Sequence, residues 1–267
     1  MRRGVAAKNV NSVRQGFGFK DLLRSLSLFA VLSVAGASFA VDHLDLGSPG
    51  KADKEVKRTG YALGYSEKYE QALWAQYRLT REQVTKKNTV RSNDFKDDPD
   101  IPTGSAKAKD YSKSGYDKGH LVPAEDMRYS DVTMRESFYM SNMSPQSSGF
   151  NRGIWKRLEK AVRRFAFAEG SIVVVTGPIF DKYGGRTIGD GVAVPTAFYK
   201  VIYDETPPCK MIAFLLPHES SQKGIKDFVC TVSKVEERTG LKFFPKLSSG
   251  VSSDLKTRSS PSEWSWK

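Results

Sequence analysis

The sequence predicts an α+β domain built on an antiparallel β-sheet flanked by helices. Three segments rich in β-branched and aromatic residues follow one another after residue 170 with only short turns between them. Parallel neighbours would need long, helical crossovers, so these strands are expected to pair antiparallel. One amphipathic segment precedes the strands and another follows them, which indicates helices packed against the sheet rather than alternating with its strands.

The first forty residues predict a targeting segment. They hold six basic residues and one acid, and an uncharged run ends in small residues before Val41. This pattern predicts a signal peptide, residues 1–40, cleaved after Ala40 for secretion or export to a periplasm, with no stable membrane association afterwards. An uncleaved membrane anchor is one alternative, although the run is shorter than the ~20 apolar residues of a spanning helix. A mitochondrial presequence is the other, because the basic start lacks acids.

The rest of the chain predicts one domain with polar ends. Residues 41–57 are polar and punctuated by Gly and Pro, so they predict an N-terminal arm, and residues 251–267 predict a flexible tail. No linker-like stretch divides residues 58–250, which are therefore assigned to a single domain.

Within this domain the elements follow in a clear order. A helix with a basic outer face is predicted from the helical spacing of its apolar residues, which are Ile154, Trp155, Leu158, Ala161, Val162 and Phe165. Strands are predicted from Ser171, Val192 and Cys209, because the residues after each are β-branched or aromatic. A second helix is predicted from Gly224 to Arg238, stopped by Gly240.

Composition narrows the classes of function. The net charge of +12 falls to about +7 without the first forty residues and still favours polyanionic partners such as nucleic acid. The chain has no repeat of solenoid or propeller period, which excludes those folds. Cys209 and Cys230 are too few for a disulfide scaffold, and a disulfide between them and two free thiols are equally compatible with the sequence. With only three histidines, the chain has few ligands from which to build a zinc site of protein side chains alone.

The chemistry concentrates between residues 116 and 159. Three motifs follow in order: YDKGHLVPAEDM with His120, SNMSPQ with Asn142, and FNRGIWKRLE with Asn151 and Glu159. Gly119 is expected to allow a tight backbone turn that leaves the imidazole of His120 accessible. Asn151 begins the predicted helix, where a helix N-cap is as compatible with the sequence as a metal ligand. Glu159 lies two turns further on a neighbouring face, so the set offers a base, a hard oxygen ligand and an outer acid for metal-assisted phosphodiester hydrolysis.

With these motifs, the chain resembles the DNA/RNA non-specific endonucleases. This ββα-metal, or His-Me finger, group includes secreted bacterial nucleases and mitochondrial endonuclease G. The resemblance spans most of residues 61–247 and includes WAQYRLT (74–80), VVTGPIF (174–180), VPTAFYKVI (194–202) and TGLKFFPKL (239–247). It implies an α+β fold with a ββα-metal active-site motif.

The resemblance also implies residue roles. His120 is similar to the family's general base, Asn151 to its direct Mg²⁺ ligand, and Glu159 to a residue that acts on the metal through water. Asn142 corresponds to an active-site asparagine. The substrate-binding set comprises Arg78, similar to a phosphate-binding arginine, with Asp117 and Lys118 of the motif that holds His120. The family motif usually has arginine where this chain has Lys118, and lysine lacks the bidentate fork to a phosphate.

The implied reaction is Mg²⁺-dependent hydrolysis of DNA and RNA to 5′-phosphate products, with Mn²⁺ as the alternative ion. Because water is the nucleophile, the 2′-OH of RNA is not needed. His43 and His218 are expected to be ordinary surface or loop residues. The alternatives are a non-catalytic secreted nucleic-acid-binding protein and a phosphodiesterase acting on other diesters. A homodimer and an inhibitor protein are both compatible with the sequence.

Overall fold

The computed structural model describes residues 41–180 and 185–266. The predicted signal peptide, residues 1–40, lies outside the described residues. The strands are β1 Lys54–Lys57, β2 Ala62–Ser66, β3 Gln71–Thr80, β4 Asp117–His120, β5 Met143–Gln146, β6 Ser171–Ile179, β7 Thr187–Ile188, β8 Val192–Ala193, β9 Ala197–Asp204, β10 Lys210–Pro217 and β11 Val229–Cys230. The helices are α1 Arg81–Thr85, α2 Asp131–Glu136, α3 Lys156–Glu169, α4 Val232–Thr239 and α5 Ser249–Thr257.

A seven-stranded sheet in the order β1-β2-β3-β6-β9-β10-β11 forms the centre, and every neighbouring pair is antiparallel. The predicted α+β class with an antiparallel sheet is therefore confirmed. The three predicted strands appear as β6, β9 and β10, although the segment from Val192 first forms the short β8 and then turns before β9. Within residues 41–180 and 185–266, no helix combines the length and apolarity needed to cross a membrane.

The two faces of the sheet pack against different helices. Side chains alternate along β3, so Tyr77 faces one side and Trp74 the other. The apolar residues of α3 cover the first face, and all six residues that predicted this helix are buried. Val232 and Val235 of α4 and Leu255 of α5 cover the second face.

The segments predicted as arm and tail are packed into the domain. In the arm, β1 pairs with β2, and the backbone oxygen of His43 accepts a hydrogen bond from Gln76 Nε2 at 2.6 Å. In the tail, α5 packs on α4, and Trp264 is buried against Phe165, with ring centroids 4.9 Å apart. The sequence conceals this because a few apolar side chains anchor segments that are otherwise polar.

The second predicted helix is shorter than expected. Residues 225–228 form a 3₁₀ turn, and β11 pairs with β10 before α4 begins at Val232. The side chain of Thr231 caps this start by accepting a hydrogen bond from the backbone N–H of Lys234. The predicted stop is confirmed, since Gly240 takes the left-handed conformation with φ of 74°. Cys209 and Cys230 are both free thiols.

Candidate active site

A cleft of about 540 Å³ lies between the β4–β5 ribbon and the first half of α3. Its walls hold six cationic and two acidic side chains, so it favours an anionic ligand. The lining residues are Arg91, Lys118, His120, Pro123, Ala124, Glu125, Asn151, Arg152, Lys156, Glu159, Lys160 and Arg163. Four predicted site residues therefore meet here, namely Lys118, His120, Asn151 and Glu159.

His120 ends β4 and pairs with Met143 of β5. Its side chain packs edge-on against Phe138, with centroids 4.8 Å apart, and lies 5.9 Å from the ring of Phe95. Only 8% of the residue is exposed, and its Nε2 atom is buried with no hydrogen-bond partner among the described residues. Burial, reinforced by the positive charge of Arg91, lowers the pKa of His120 to about 3. The imidazole is therefore neutral at physiological pH.

Gly119 is needed for close packing rather than for a turn. A Cβ atom at this position would lie 2.2 Å from Cδ of Gln146 on the neighbouring strand. The residue lies inside the β4–β5 pair, opposite Ser144. The predicted tight turn is thus absent, and the glycine instead lets the two strands of the ribbon approach with Gln146 between them.

Asn151 is held by Asp117. Residues 150–155 form a π-helical turn that leads into α3, and the backbone N–H of Asn151 donates to the carbonyl of Ser147 at 2.9 Å. Asn151 is therefore inside the first turn and is not the N-cap that the sequence left open. Its Nδ2 donates to Asp117 Oδ2 at 3.0 Å, and its Oδ1 accepts no hydrogen bond within the described residues. The carboxamide oxygen is available as a ligand.

Asp117 is hydrogen-bonded within the protein. Its carboxylate accepts hydrogen bonds from Ser148 and Asn151 and a bidentate pair from Arg152 at 2.9 and 3.0 Å. Burial alone would raise the pKa of Asp117, but the hydrogen bonds from Arg152, Asn151 and Ser148 outweigh it and lower the pKa. The carboxylate of Asp117 is therefore engaged by three neighbouring side chains, one of which is Asn151.

Glu159 lines the cleft next to a buried group of charged side chains, those of Lys200, Arg163 and Asp126. Its carboxylate has no hydrogen-bond partner among the described residues, and burial raises the pKa of Glu159 while the charges of Lys200 and Arg163 limit the rise. Lys200 is fully buried on β9, with Nζ 3.0 Å from Thr176 Oγ1 and 4.4 Å from the ring centre of Trp155. Burial lowers the pKa of Lys200, and Glu159 opposes that shift. The positive charge of Lys200 thus favours the ionised form of Glu159 and partly offsets the effect of burial.

Arg163 completes this group from the α3 side. Its Nη1 donates to Asp126 Oδ1 at 2.6 Å, and the hydroxyl of Tyr77 donates to the other oxygen of Asp126 at 2.8 Å. Asp126 is buried, so these two partners satisfy a charge that would otherwise be costly. The arrangement fixes the wall of the cleft on which Glu159 stands.

The donor set fits Mg²⁺. Within residues 41–180 and 185–266, no group of three or more His, Cys, Asp or Glu is placed to hold a metal ion. A transition-metal cage is therefore not built from these side chains. Mg²⁺ instead takes one or two protein oxygens and keeps several waters. The unpartnered Oδ1 of Asn151 and the unpartnered carboxylate of Glu159 offer this kind of site in the same cleft.

Three predicted site residues do not line the cleft: Asp117, described above, and Asn142 and Arg78. Asn142 is buried, and its amide is used by backbone groups: Oδ1 accepts from Val122 N at 2.9 Å, and Nδ2 donates to the carbonyls of Val122 and Ser137. Its own carbonyl accepts from Leu121 N. Asn142 therefore fixes the segment that follows His120, and its carboxamide is engaged by the backbone.

Arg78 lies on the opposite face of the sheet. Its guanidinium pairs with Asp45 at 2.8 Å and with Glu205. Both carboxylates compete with any phosphate, and Arg78 does not line the cleft. The structure therefore does not support the predicted phosphate contact. β-strand alternation explains the difference, because Arg78 shares its face with Trp74 and Gln76.

Sequence patterns missed two residues of the site. Arg91 lines the cleft with its guanidinium 5.2 Å from the ring centre of Phe138, but it lies in a loop with no motif around it. Lys200 had a usable signal, because it interrupts the apolar strand sequence AFYKVIY at a buried position. A lysine in the middle of a central strand indicates a buried charge with a specific partner.

The other two histidines are structural. His43 is buried, with Nε2 3.1 Å from the carbonyl of Thr59 and Nδ1 accepting from the N–H of Arg78. His218 is half-buried, its Nε2 accepts from Ser147 N at 2.8 Å, and its Nδ1 lies 2.8 Å from the carbonyl of Pro195. Both lie in loops, as one part of the prediction allowed, but neither is exposed at the surface. Both ring nitrogens of each are occupied by the backbone, unlike those of His120.

Comparisons with known proteins give one consistent result. The profile of a family described as DNA/RNA non-specific endonuclease matches residues 41–250, which include every residue of the cleft. Nuclease C1 of Cunninghamella echinulata var. echinulata is 34% identical over 79% of this chain and 91% of its own length. The mitochondrial nuclease of Saccharomyces cerevisiae is 33% identical over 80% and 74%, and mitochondrial endonuclease G of Homo sapiens is 31% identical over 75% and 72%.

A solved structure agrees with the sequence relatives. A chain in the crystal structure of the EndoG/EndoGI complex, which concerns the mechanism of EndoG inhibition, superimposes with a TM-score of 0.70 at 35% sequence identity. The match covers 77% of this chain and 91% of that one. The similarity therefore extends over the fold as well as the sequence.

Proposed function

The chain belongs to the DNA/RNA non-specific endonuclease family, and from this premise we propose that it hydrolyses phosphodiester bonds in both DNA and RNA and leaves 5′-phosphate ends. The observation that carries the proposal is the meeting in one cationic cleft of a neutral imidazole, that of His120, and a carboxamide oxygen, that of Asn151, which accepts no hydrogen bond from the described residues. A base and a hard oxygen ligand side by side suit attack by water on a phosphate.

His120 acts as the general base. Because Nε2 is closed off from solvent, Nδ1 is the ring atom that faces the cleft and accepts a proton from the attacking water. An imidazole with a pKa of about 3 is a weak base in the free protein. A bound phosphate brings negative charge beside the ring and offsets that of Arg91, so substrate raises the pKa of His120. The imidazole of His120 is therefore a stronger base when substrate is bound than in the free protein.

Asn151 would hold Mg²⁺ directly and Glu159 would act on it through water, with Mn²⁺ as the alternative ion. When bound, the ion stabilises negative charge on the phosphoryl oxygens and the departing oxygen. Asp117 orients Asn151 by accepting one hydrogen bond from its Nδ2, which leaves Oδ1 toward the cleft. The cations at the rim, Lys156 and Lys160 among them, bind neighbouring phosphates. Contacts with phosphates position the nucleic-acid backbone but do not read the base sequence. Cleavage therefore has little sequence preference.

The decisive experiment uses the full chain with supercoiled plasmid and a single-stranded RNA, each in Mg²⁺ and in EDTA. Cleavage of both with Mg²⁺, loss of both in EDTA, and 5′-phosphate ends by end-labelling are expected. Asn151→Ala lowers both activities, whereas the matched surface change Asn88→Ala, outside the cleft, retains them. Binding without cleavage would leave a non-catalytic binder, and cleavage of only a small diester would indicate a different phosphodiesterase.

We propose further that residues 1–40 target the protein and are removed from the mature enzyme. The basic start and the uncharged run are compatible with secretion, while two of the relatives above are named as mitochondrial. Fusion of residues 1–40 to a fluorescent reporter separates the two destinations. Retention of an uncleaved fusion in the membrane fraction would instead identify an anchor.

A further inference from the structure

A second groove continues the cleft along α3. It has a volume of about 330 Å³, and Glu125 and Arg163 line both spaces. The groove runs between α1 and the last turns of α3, beside the C-terminal segment. Its lining residues are Val84, Lys87, Glu125, Arg163, Arg164, Phe167, Ala168 and Ser265. A ligand that extends from the cleft can therefore enter this groove without leaving the surface.

Phe167 is unusual for its exposure. It is 54% exposed and is the one aromatic side chain in the exposed class among the described residues. Arg81 supports it from α1: the guanidinium carbon lies 5.6 Å from the ring centre, and Nε and Nη2 donate to the carbonyls of Phe167 and Ala168 at 2.6 and 2.8 Å. The ring is thus held in place while one side faces solvent, which suits a stacking platform.

Free positive charge surrounds this ring. Within residues 41–180 and 185–266, Lys87 and Arg164 form no ion pair, and both are exposed. The remaining charges of the groove are balanced, since Arg163 pairs with Asp126 and Glu125 with Arg128. The groove therefore adds two uncompensated cations to the six of the cleft.

We propose that this groove is an extended nucleic-acid subsite, in which Phe167 stacks on an unpaired base while Arg164 and Lys87 bind the adjacent phosphates. The proposal rests on the nuclease function above and specifies how the substrate continues. From Lys156 to Phe167 the helix rises by roughly 16 Å. At ~3.4 Å per nucleotide of a strand, this distance corresponds to about five nucleotides.

Single-stranded nucleic acid is favoured over an acidic protein segment. The acidic side chains of a protein segment would pair with Lys87 and Arg164, but they would not stack on the exposed ring of Phe167. A single strand offers both partners at once, because bases stack on aromatic rings without regard to sequence while phosphates bind the cations. Stacking also requires an unpaired base, so the subsite predicts tighter binding of single than of double strands.

The test measures affinity apart from catalysis. The full chain carrying His120→Ala is titrated in Mg²⁺ with fluorescent single strands of 3 and 16 nucleotides. Phe167→Ala is expected to weaken 16-mer binding about tenfold and to affect the 3-mer little, so the ratio of the two affinities falls. Arg164→Gln is expected to weaken 16-mer binding and to reduce the slope of log affinity against log salt by about 0.7.

Matched controls lie on the opposite face of the sheet. Val251 is an exposed apolar residue of α5, and Arg238 is an exposed cation of α4. Val251→Ala and Arg238→Gln are expected to keep the affinity ratio and the salt slope. Thermal midpoints of all four variants, all at exposed positions, show whether each folds normally.

Several results would overturn the proposal. Phe167→Ala could bind the 16-mer as tightly as Val251→Ala does, or both strand lengths could lose affinity equally, which would indicate a disturbed cleft. Displacement of the 16-mer by a poly-glutamate peptide at equal charge concentration would assign the groove to an acidic protein. Length-dependent binding through Phe167, together with failure of the wild-type chain to cleave, would retain the groove and reject the hydrolytic function, so the two failures are distinguishable.

Discussion

The two faces of the central sheet differ in what they bury. The face under α3 contains charged groups, Lys200 and Asp126 among them, beside the aromatic rings of Trp155 and Phe198. The face under α4 and α5 carries a largely apolar core that includes Phe243, with the partly exposed ion pairs of Arg78 beside it. Its buried amide, Gln76, bonds to the backbone carbonyl of His43. One sheet thus supports a charged, open side and an apolar, closed side.

This difference indicates a division of tasks. Burying an ion costs several kcal/mol unless its partners are well placed, so the charged face is a poor source of stability. An apolar face contributes through burial alone, at roughly 25 cal/mol per Å². We infer that the closed face stabilises the sheet against which the cleft is built. Substitutions on the two faces should therefore separate activity from stability.

The largest effect is expected from His120→Ala on the cleft side. Loss of a general base lowers the cleavage rate about 10²–10⁴-fold, equally for DNA and RNA, because one site serves both. Initial rates on a plasmid and on an RNA of matched length measure this. His43→Gln is the control, since His43 bonds only to the backbone, and it should stay near the wild-type rate. A loss confined to RNA would contradict the shared mechanism.

On the closed face, Phe243→Ala should lower the stability of the protein and leave the cleavage rate of the folded protein unchanged. Phe243 is fully buried beside Tyr199, with ring centroids 5.5 Å apart. Removing the ring leaves a cavity and lowers the free energy of unfolding by about 3–5 kcal/mol. Urea unfolding measures the loss, and initial rates at 15 °C, normalised to the folded fraction, should match wild type. A comparable fall in the normalised rate would show that the two faces are coupled.

Asp117→Asn tests whether the orientation of Asn151 matters. The substitution keeps the size of the side chain but removes the charge that binds Arg152 and Asn151. A change in a group that orients a metal ligand typically lowers metal affinity or activity about 10–100-fold. The Mg²⁺ concentration at half-maximal rate should rise accordingly. Ser148→Ala removes one hydrogen bond to the same carboxylate and should have a smaller effect.

Much of the fold was predictable from sequence because its strongest elements have local signals. Strand β6 combines β-branched residues with Gly and Pro boundaries, and α3 has a complete apolar stripe. The packed ends were not predictable. Segments such as β1 and α5 are stabilised by contacts with distant residues, and their own composition is that of a loop. Local pattern contains no information about such partners.

The sequence predicted the candidate site only for those motif residues that also line the cleft. His120, Asn151 and Glu159 lie on contiguous elements that meet at the cleft. Asn142 and Asp117 are also close by, but their hydrogen bonds turn them toward backbone and side chains of the protein. The position of Arg78 outside the cleft was not predictable, because the face on which a strand residue lies depends on register across the sheet. Arg91 comes from a loop, and only the tertiary structure places it near His120.

A smaller effect concerns stability against pH. His120 has a pKa of about 3 in the folded protein, against ~6.5 in an unfolded chain, so the unfolded state binds more protons between these values. Its contribution is therefore complete above pH 6.5 and is lost as the pH falls toward 3, by at most about 1.4 kcal/mol per pH unit. Urea unfolding between pH 4.5 and 7 should show a slope that His120→Gln reduces. An unchanged slope would mean that the imidazole is hydrated.

Lys118→Arg is expected to have the smallest effect. The ammonium of Lys118 lies 4.7 Å from the ring centre of Phe95, inside the cleft, where a guanidinium can stack on the same ring. Arginine adds a bidentate hydrogen bond to phosphate, so activity should be retained or should rise by less than about tenfold, the equivalent of ~1.5 kcal/mol. Steady-state cleavage at rising salt concentration measures this, with the gain expected in KM. Because both residues are cationic, a strong loss would mean that the compact ammonium fits a space between Phe95 and His120 that a planar group cannot enter.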